Sequence, residues 1–223
     1  FGPATYHSLL AKFRWRAIAT TNYDMIIERA YDATPKGLQN LVPTVKDLDQ
    51  LDHRLNVTTS PVTYFKLHGS IDHYTDTSIP LILSNEQYAG YEDNRRRMWA
   101  RLRDLAYEYP VVFAGYSISD PHVQRILFDL TNKAGRPMFY SISPDFEDPE
   151  IRYWATHRVA CLKGTLEEFL TALDTAIPTL ARTLPVGLGG GSLSIRAHYR
   201  IASATESASL VAYLEKDTSH VFP

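Results

Sequence analysis

Short apolar segments alternate with amphipathic segments along most of this sequence, and this alternation restricts the possible folds more than any other feature. Pro110–Ala114 is apolar throughout, as is typical of a strand that a parallel sheet buries on both faces. The other predicted strands are Arg16–Thr20, Val62–Leu67, Leu81–Leu83, Pro137–Ile142 and Arg158–Leu162. Because strands that alternate with helices form parallel sheets, the sequence predicts an α/β fold with helices flanking a parallel sheet.

The predicted helices lie between these strands and carry apolar residues at helical spacing. They cover residues 3–14, Met25–Tyr31, Asp93–Tyr107, Pro121–Lys133, Asp148–Trp154 and a segment after Thr165, and Ser84–Tyr88 is predicted to open a further helix. Asp24 and Asp120 are suitable N-caps, and Thr165 forms a capping box with Glu168.

Residues 33–61 lack a clear periodicity of hydrophobic residues. Pro35, Gly37, Pro43 and Pro61 interrupt this segment, so we expect a lid-like excursion that contains a short helix around Val45–Leu55.

The C-terminal residues 185–223 differ in composition from the rest of the chain. Pro185–Ser192 is rich in glycine and is typical of a linker. Ser192–Ile201 alternates like a strand, and Ser209–Leu214 is a candidate second strand. We therefore expect one domain over residues 1–184, followed over 185–223 by a short β-rich appendage or the start of another domain.

Composition and charge exclude several classes of protein. The formal net charge of −2 argues against nucleic-acid binding by bulk electrostatics. Cys161 is the single cysteine, so the sequence predicts neither an intrachain disulfide nor a multi-cysteine zinc site. There is no signal-peptide pattern and no apolar run of about 18 residues, so we expect a cytoplasmic protein without a membrane contact.

Polar side chains follow three of the predicted strands, at the point where each strand ends. They are Thr21, Asn22 and Asp24 after the first, His68, Gly69 and Ser70 after Val62–Leu67, and Gly115, Ser117, Ser119 and Asp120 after Pro110–Ala114. The carboxyl ends of parallel strands share one edge, so we expect these loops to line one crevice. Asn and Asp orient ligands by hydrogen bonds, histidine titrates near neutrality, and Gly or Ser before a helix suits a phosphate.

Each loop also has a purely structural interpretation. Asn22 and Asp24 can simply end a strand and cap a helix. Asp120 can act mainly as a cap, and Gly115 can serve only to avoid a clash between strand and helix. A single histidine such as His68 is more often an ordinary loop or core residue.

Taken together and in this order, the three loops resemble the motifs of the sirtuin family. Thr21-Asn22-Tyr23-Asp24 resembles the family's Gln-Asn-Ile-Asp motif, Leu67–Ser70 resembles its catalytic His-Gly, and Gly115–Ser117 resembles its Gly-Thr-Ser loop. Cys161–Leu173 is similar to the family's final strand and helix, whose junction borders the adenine. The resemblance covers about residues 16–180, and it is strongest to the bacterial branch whose members often degrade NAD in anti-phage defence.

Two departures from the sirtuin pattern change what we expect. Sirtuin deacylases carry a four-cysteine zinc module between the His-Gly and Gly-Thr-Ser motifs, whereas residues 69–114 contain no cysteine, so no zinc is expected. The family's first strand and Gly-Ala-Gly phosphate loop precede the Asn motif, yet Phe1–Arg16 contains only Gly2. We expect that the sequence begins downstream of that loop or that part of the dinucleotide site is lost, and the abrupt helical start favours the first.

The resemblance implies a Rossmann-like domain that takes NAD as its substrate and hydrolyses the nicotinamide–ribose bond. Asp24 would hold the nicotinamide carboxamide, Asn22 would orient water or a ribose hydroxyl, and His68 would act as general base. The implied cofactor-binding residues are Thr21, Asp24, Gly115 and Ser117. Gly115 and Ser117 would lie near the ribose–diphosphate half.

Other functions stay open at this point. A protein-lysine deacylase would share the fold and NAD but would need an acyl-lysine tunnel. A non-catalytic NAD or ADP-ribose-binding module, or a structural α/β module, would have no turnover. The resemblance further implies a homo-oligomer and a defence partner protein, for which the arginine-rich helix 93–107 and residues 185–223 offer candidate surfaces.

Overall fold

The computed structural model describes residues 2–78, 81–82, 94–115, 118, 121–131, 133, 135, 137–177, 179, 182, 196–199 and 212–215. The chain divides into two compact units. The first comprises Phe1–Pro110 with Lys133–Pro137, and the second comprises Val111–Asn132 with Met138–Pro223. Each contains a three-stranded parallel sheet with flanking helices, which confirms the predicted α/β class. No helix in the described part of the chain has the length and apolar character needed to cross a lipid bilayer.

The first unit is built around a buried central strand. Its elements, in chain order, are a 3₁₀ helix (Thr5–Lys12), β1 (Ala17–Thr20), α1 (Ile26–Asp32), β2 (Asn40–Thr44), α2 (Leu51–Val57), β3 (Pro61–Lys66), a 3₁₀ turn (Ile71–His73) and α3 (Arg96–Glu108). β3 lies between β1 and β2 and is parallel to both. Every β3 residue after Pro61 is buried, and the β-branched and aromatic side chains of this strand suit such a position.

Residues 33–61 contain an edge strand rather than the predicted lid-like excursion. β2 pairs with β3 from Asn40 opposite Pro61 to Thr44 opposite Phe65. The prediction is wrong here because a proline such as Pro43 is counted as a strand breaker, whereas an edge strand tolerates the missing amide hydrogen. The short helix expected in this segment is present as α2.

The two faces of β3 differ in chemistry. Phe65 and Leu67, at the end of the strand, form a buried cluster with Met98 of α3. Other apolar residues of α3 that pack against this cluster are Trp99, Leu102 and Leu105. Tyr64 and Lys66 alternate with these residues along the strand and therefore lie on the opposite face. That face meets α1, because Lys66 contacts a residue of that helix.

The second unit repeats the parallel arrangement. Its elements are β4 (Val112–Ala114), α4 (Pro121–Thr131), β5 (Phe139–Ile142), α5 (Asp148–Thr156), β6 (Val159–Leu162) and α6 (Leu166–Ala176), and β5 lies between β4 and β6. The predicted capping box of α6 is confirmed. Thr165 Oγ1 accepts from the Glu168 amide over 3.2 Å, and the Glu168 carboxylate accepts from the Thr165 amide over 2.8 Å.

Two further strands follow near the C-terminus, as predicted. β7 (Arg196–Tyr199) and β8 (Ala212–Glu215) pair antiparallel. Leu81 and Ile82, by contrast, do not form the predicted strand. Other predictions lie outside the described residues, and they concern Leu83, Ser84–Tyr88, Ser117, Ser119, Asp120 and the linker Pro185–Ser192.

Candidate functional site

The loops after β1 and β3 leave the first unit's sheet at the same edge. The two strands are parallel neighbours, and Thr20 lies opposite Lys66 at their carboxyl ends. The half-buried Thr21 and the predicted Asn22 follow β1, while the predicted His68 follows β3. This is the edge at which open α/β sheets bind ligands.

Backbone hydrogen bonds join the two loops. The amide of Leu67 donates to the carbonyl of Thr20 over 2.8 Å, and the amide of Ile71 donates to the carbonyl of Tyr23 over 2.8 Å. Asn22 lies between the two acceptors and His68 lies between the two donors. The structure therefore brings the Asn22 and His68 loops together without relying on any side chain.

His68 lies in a tight turn that closes immediately after β3. Its residue is 9% exposed, and its carbonyl accepts from the amide of Ile82 over 3.3 Å. The amide of Gly69 donates back to the carbonyl of Lys66 over 3.2 Å, and Gly69 has a φ of 92°. Only glycine adopts this backbone conformation readily, so the glycine after His68 is required by the turn itself.

The Asn22 loop exposes one polar side chain and ties another to a helix. Asn22 is exposed, and its amide donates to Thr20 Oγ1 over 3.0 Å. Asp24 Oδ1 accepts from the amide of Ile26, the first residue of α1, over 2.9 Å. The N-cap position is Met25 rather than the predicted Asp24, so Asp24 engages the helix from one residue further upstream. Its second carboxylate oxygen, Oδ2, takes no part in this turn.

A buried ion pair lies directly beneath this loop, and the sequence reasoning missed it. Lys66 is 1% exposed, and its Nζ donates to Glu28 Oε1 over 2.8 Å and to the carbonyl of Asp24. It also lies 3.5 Å from Met25 Sδ. The available signal was a lysine placed at the end of an otherwise apolar and aromatic strand, a position that buries a charge only when partners are present.

The electrostatics of this buried group extend to Tyr64, which lies two residues before Lys66 on the same face. Burial raises the pKa of the Tyr64 hydroxyl well above its usual range, and the negative charges of Glu28 and Asp24 add to the rise. The Lys66 ammonium lies 5.8 Å from the centre of the Tyr64 ring. Tyr64 is therefore a neutral phenol beneath the loop at physiological pH.

The third predicted loop belongs to the second unit. Gly115 follows β4 with a φ of 61°, a conformation that favours glycine. Ser117, Ser119 and Asp120 lie outside the described residues. The structure thus joins two of the three predicted loops, those of Asn22 and His68. The roles of all the predicted site residues, Gly115 and Ser117 included, stay predictions.

Potential metal ligands do not cluster in the described part of the chain, where no group of three His, Cys, Asp or Glu side chains could hold an ion. Cys161 lies buried in β6, and burial, with a smaller contribution from Glu150, raises the pKa of its thiol to about 11. Because the thiolate is the form that binds metals, a thiol kept protonated at neutral pH is a poor ligand.

Comparison with known proteins identifies the family and three relatives. The model of the SIR2-like domain family matches residues 16–162, which include both joined loops. The NAD(+) hydrolase ThsA of Enterococcus faecium is 29% identical over 128 residues, which are 56% of this chain and 24% of that protein. The NAD(+) hydrolases ThsA of Cytobacillus dafuensis and Bacillus cereus (strain MSX-D12) are each 28% identical over 121 residues, or 54% of this chain. The matches span 22% and 23% of these two proteins, so the chain covers only about a quarter of its curated relatives.

Proposed function

The chain belongs to the SIR2-like domain family, and on this premise we propose that it is an NAD glycohydrolase. Membership of this family implies that NAD is the ligand. The finer assignment, hydrolysis of the nicotinamide–ribose bond, is supported by the similarity to three NAD(+) hydrolases. The observation that carries the proposal is the hydrogen-bonded pair of loops that places Asn22 and His68 at one edge of the sheet within the matched region.

The reaction is a substitution at the ribose C1′ atom. Nicotinamide in NAD is a cationic leaving group, so the C1′–N bond breaks with its electron pair moving to the ring, which departs neutral. A water oxygen forms the new bond to C1′ and its proton goes to a base, leaving ADP-ribose. Such an oxocarbenium-like reaction needs positioning and modest base assistance rather than a strong nucleophile.

The proposed roles are those that the resemblance to the sirtuin motifs implies. His68 is the base toward the water or the ribose hydroxyl, and Asn22 orients that water. Asp24 holds the nicotinamide carboxamide through Oδ2, since Oδ1 already accepts from the Ile26 amide. The remaining proposed cofactor-binding residues are Thr21, Gly115 and Ser117.

The decisive experiment measures nicotinamide release from NAD by His68→Ala and Asn22→Ala. A positioned general base contributes about 10²–10⁴-fold in rate, so His68→Ala should lose at least that much activity. Asn22→Ala should lose a comparable amount, because a misplaced water loses the advantage of proximity. His73→Ala is a matched control, because His73 lies five positions after His68 on a partly exposed turn, and it should retain wild-type turnover. Unchanged turnover in His68→Ala would sink the assignment.

Stability must be measured on the same samples. Asn22 is exposed, so its truncation should change the free energy of unfolding by about 0.5 kcal/mol or less. His68 is buried, so the activity of His68→Ala has to be expressed per folded molecule. Loss of activity that merely tracks the folded fraction would favour a structural role for His68.

Two other NAD-linked functions are separated by the same assay. Binding of NAD without nicotinamide release would identify a non-catalytic NAD or ADP-ribose-binding module. Release that depends on an added acyl-lysine peptide would identify a deacylase. Nicotinamide release from NAD and water alone is the result expected for a hydrolase.

We also propose the biological setting that the resemblance implies, a cytoplasmic effector that depletes NAD in anti-phage defence. Such an enzyme must be restrained in uninfected cells, so we expect control through a homo-oligomer or a partner protein. Sedimentation and NAD turnover measured on the same sample test this idea, which a fully active monomer would remove. The defence role predicts a fall in cellular NAD after infection that is absent in cells carrying His68→Ala.

A further inference from the structure

Beneath the candidate site, the buried lysine contacts more than its carboxylate partner. We propose that Lys66 is a positioning residue, which holds the Asp24–Met25 segment in register beside His68 so that Asn22 and Asp24 meet the substrate. This inference rests on the proposed function. It assigns no contact between Lys66 and NAD.

The Lys66 ammonium contacts three residues of one short segment, Asp24, Met25 and Glu28. Its ammonium donates to the carbonyl of Asp24, lies 3.5 Å from Met25 Sδ, and pairs with Glu28 in the first turn of α1 over 2.8 Å. The carbonyl of Asp24 precedes the N-cap Met25, whose own carbonyl accepts the helical bond from Arg29. Lys66 therefore fixes the chain at the point where the loop becomes helix.

A second contact reaches the same segment from the other side of His68. Ser70 Oγ lies 3.6 Å from Met25 Sδ and also donates to a carboxylate oxygen of Asp72. Lys66 and Ser70 stand two residues before and two residues after His68, and both contact Met25. The turn that carries the proposed base is therefore anchored through Met25 to the loop that carries Asn22.

Stability alone is a weak explanation for the buried charge. Apolar residues of similar volume often replace a buried ion pair without loss of stability, because desolvation of the two charges offsets much of their attraction. Such residues would not donate to the Asp24 carbonyl. The feature that an apolar pair cannot reproduce is this contact with the loop.

The consequence for catalysis is a matter of geometry. A displacement of about 1 Å in a positioning element can lower a rate by about 10²-fold. Release of the Asp24 carbonyl would free the turn that Asp24 makes with Ile26 and the loop that precedes it. We expect turnover to fall about 10- to 100-fold when Lys66 is replaced, even where the protein remains folded.

The test replaces both partners of the ion pair at once. Lys66→Met combined with Glu28→Leu removes both charges and leaves no buried ion unpaired, so the full-length protein should remain folded. Three quantities are compared with the wild type: the melting temperature, kcat for nicotinamide release per folded molecule, and hydrogen exchange at the amides of Asn22 and Ile26. These amides report directly on the loop, since they donate to Thr20 and Asp24.

Positioning predicts a near-normal melting temperature, a 10- to 100-fold lower kcat and faster exchange at both amides. A double variant with kcat within about twofold of the wild type and unchanged exchange overturns the inference, because the ion pair is then purely structural. If the wild type releases no nicotinamide, the proposed function fails, and the exchange comparison still decides the role of Lys66.

A milder variant covers the case in which the double variant does not fold. Glu28→Gln keeps an acceptor oxygen for Lys66 and leaves the contact with the Asp24 carbonyl in place. Its kcat per folded molecule should stay within about twofold of the wild type, with unchanged exchange at Asn22 and Ile26. A fall in kcat of tenfold or more, with faster exchange, would show that the charge pair rather than the carbonyl contact sets the loop, and would overturn the inference.

Discussion

The two units bury polar side chains very differently. Among the described residues, the buried polar and charged side chains of the first unit are Glu28, Thr44, Thr63, Lys66, His68, Ser70 and Arg95, whereas that of the second unit is Ser141. The second unit instead buries apolar residues around β5, such as Phe139, Ile142 and Leu127. Both units use parallel sheets, so fold class does not account for the contrast.

The difference lies in how the two units accommodate buried charge. Removing a charge from water is costly unless partners are built around it. In the first unit, Lys66 finds such partners in the Glu28 carboxylate and in the carbonyl of Asp24, which belongs to the Asn22 loop. We therefore expect substitutions in the first unit to change stability mainly by leaving buried charges without partners. Substitutions in the second unit should change it mainly through packing and through buried neutral groups.

The largest expected effect is that of Lys66→Met alone. Met preserves much of the aliphatic stem but leaves the Glu28 carboxylate buried without its cation, which should cost about 3–5 kcal/mol in the free energy of unfolding. Urea denaturation measures this loss. Arg101→Met is the control, because its ion pair with Asp52 is exposed and should contribute less than about 1 kcal/mol. Equal losses in the two variants would erase the contrast between buried and surface charge.

The second unit should show a titration of a neutral buried group. Burial raises the pKa of the Cys161 thiol to about 11, whereas a cysteine in the unfolded chain has a pKa of about 8.5. The unfolded chain then loses its proton first, so the stability contributed by the neutral thiol falls as pH rises from about 8.5 toward 11. Urea unfolding from pH 7.5 to 10 should show a steeper decline for the wild type than for Cys161→Ala. Parallel stability–pH curves for the two proteins would contradict this assignment of the Cys161 thiol.

A smaller, opposite pH dependence is expected from a half-buried pair in the first unit. The Lys46 ammonium, 2.6 Å away, and then the hydroxyl and amide of Ser78 hold the pKa of the Asp76 carboxyl well below its usual range. Because this pKa is lower in the folded protein than in the unfolded chain, the ionised carboxyl stabilises the fold at pH values above the unfolded pKa of about 4. This stabilisation is lost as the pH falls toward the folded pKa. Asp76→Asn should therefore destabilise the protein at pH 6 more than at pH 3. A difference that is independent of pH would refute the assignment.

The smallest effect should come from the buried polar residue of the second unit. Ser141 Oγ is fully buried in β5 and has no hydrogen-bond partner among the described residues. Because an unsatisfied buried hydroxyl costs free energy, Ser141→Ala should change stability by less than about 1 kcal/mol, in the direction of greater stability. Thermal melts detect this shift. A clear loss of stability would mean that the second unit also depends on buried polar contacts.

Local patterns predicted much of the fold. The apolar run at Pro110–Ala114 became β4, the β-branched and aromatic run Val62–Leu67 became β3, and the capping box at Thr165 begins α6 where predicted. These features depend on neighbouring residues, so a single sequence contains enough information to find them. The match of the Asn22 and His68 motifs to the family has the same origin, while their catalytic roles stay predictions.

Features that depend on distant contacts were not predictable. β2 was missed because Pro43 disrupts a strand unless the strand lies at an edge, and edge position is a property of the whole sheet. Lys66 was missed because its carboxylate partner Glu28 lies 38 positions away. No local period reports such a pairing, and the burial of a lysine contradicts its usual preference for the surface.

The backbone bonds between the two loops have a consequence for how this part of the chain can vary. The amides of Leu67 and Ile71 meet the carbonyls of Thr20 and Tyr23, so the match depends on how many residues separate each pair and not on which residues they are. Most side chains between these anchors can change while the loops remain joined, with the exception of Gly69, whose positive φ favours glycine. A one-residue insertion or deletion in either loop would shift one pair of anchors past the other. Loop length is thus under tighter constraint than loop composition, and a deletion scan should be far less tolerated here than a substitution scan.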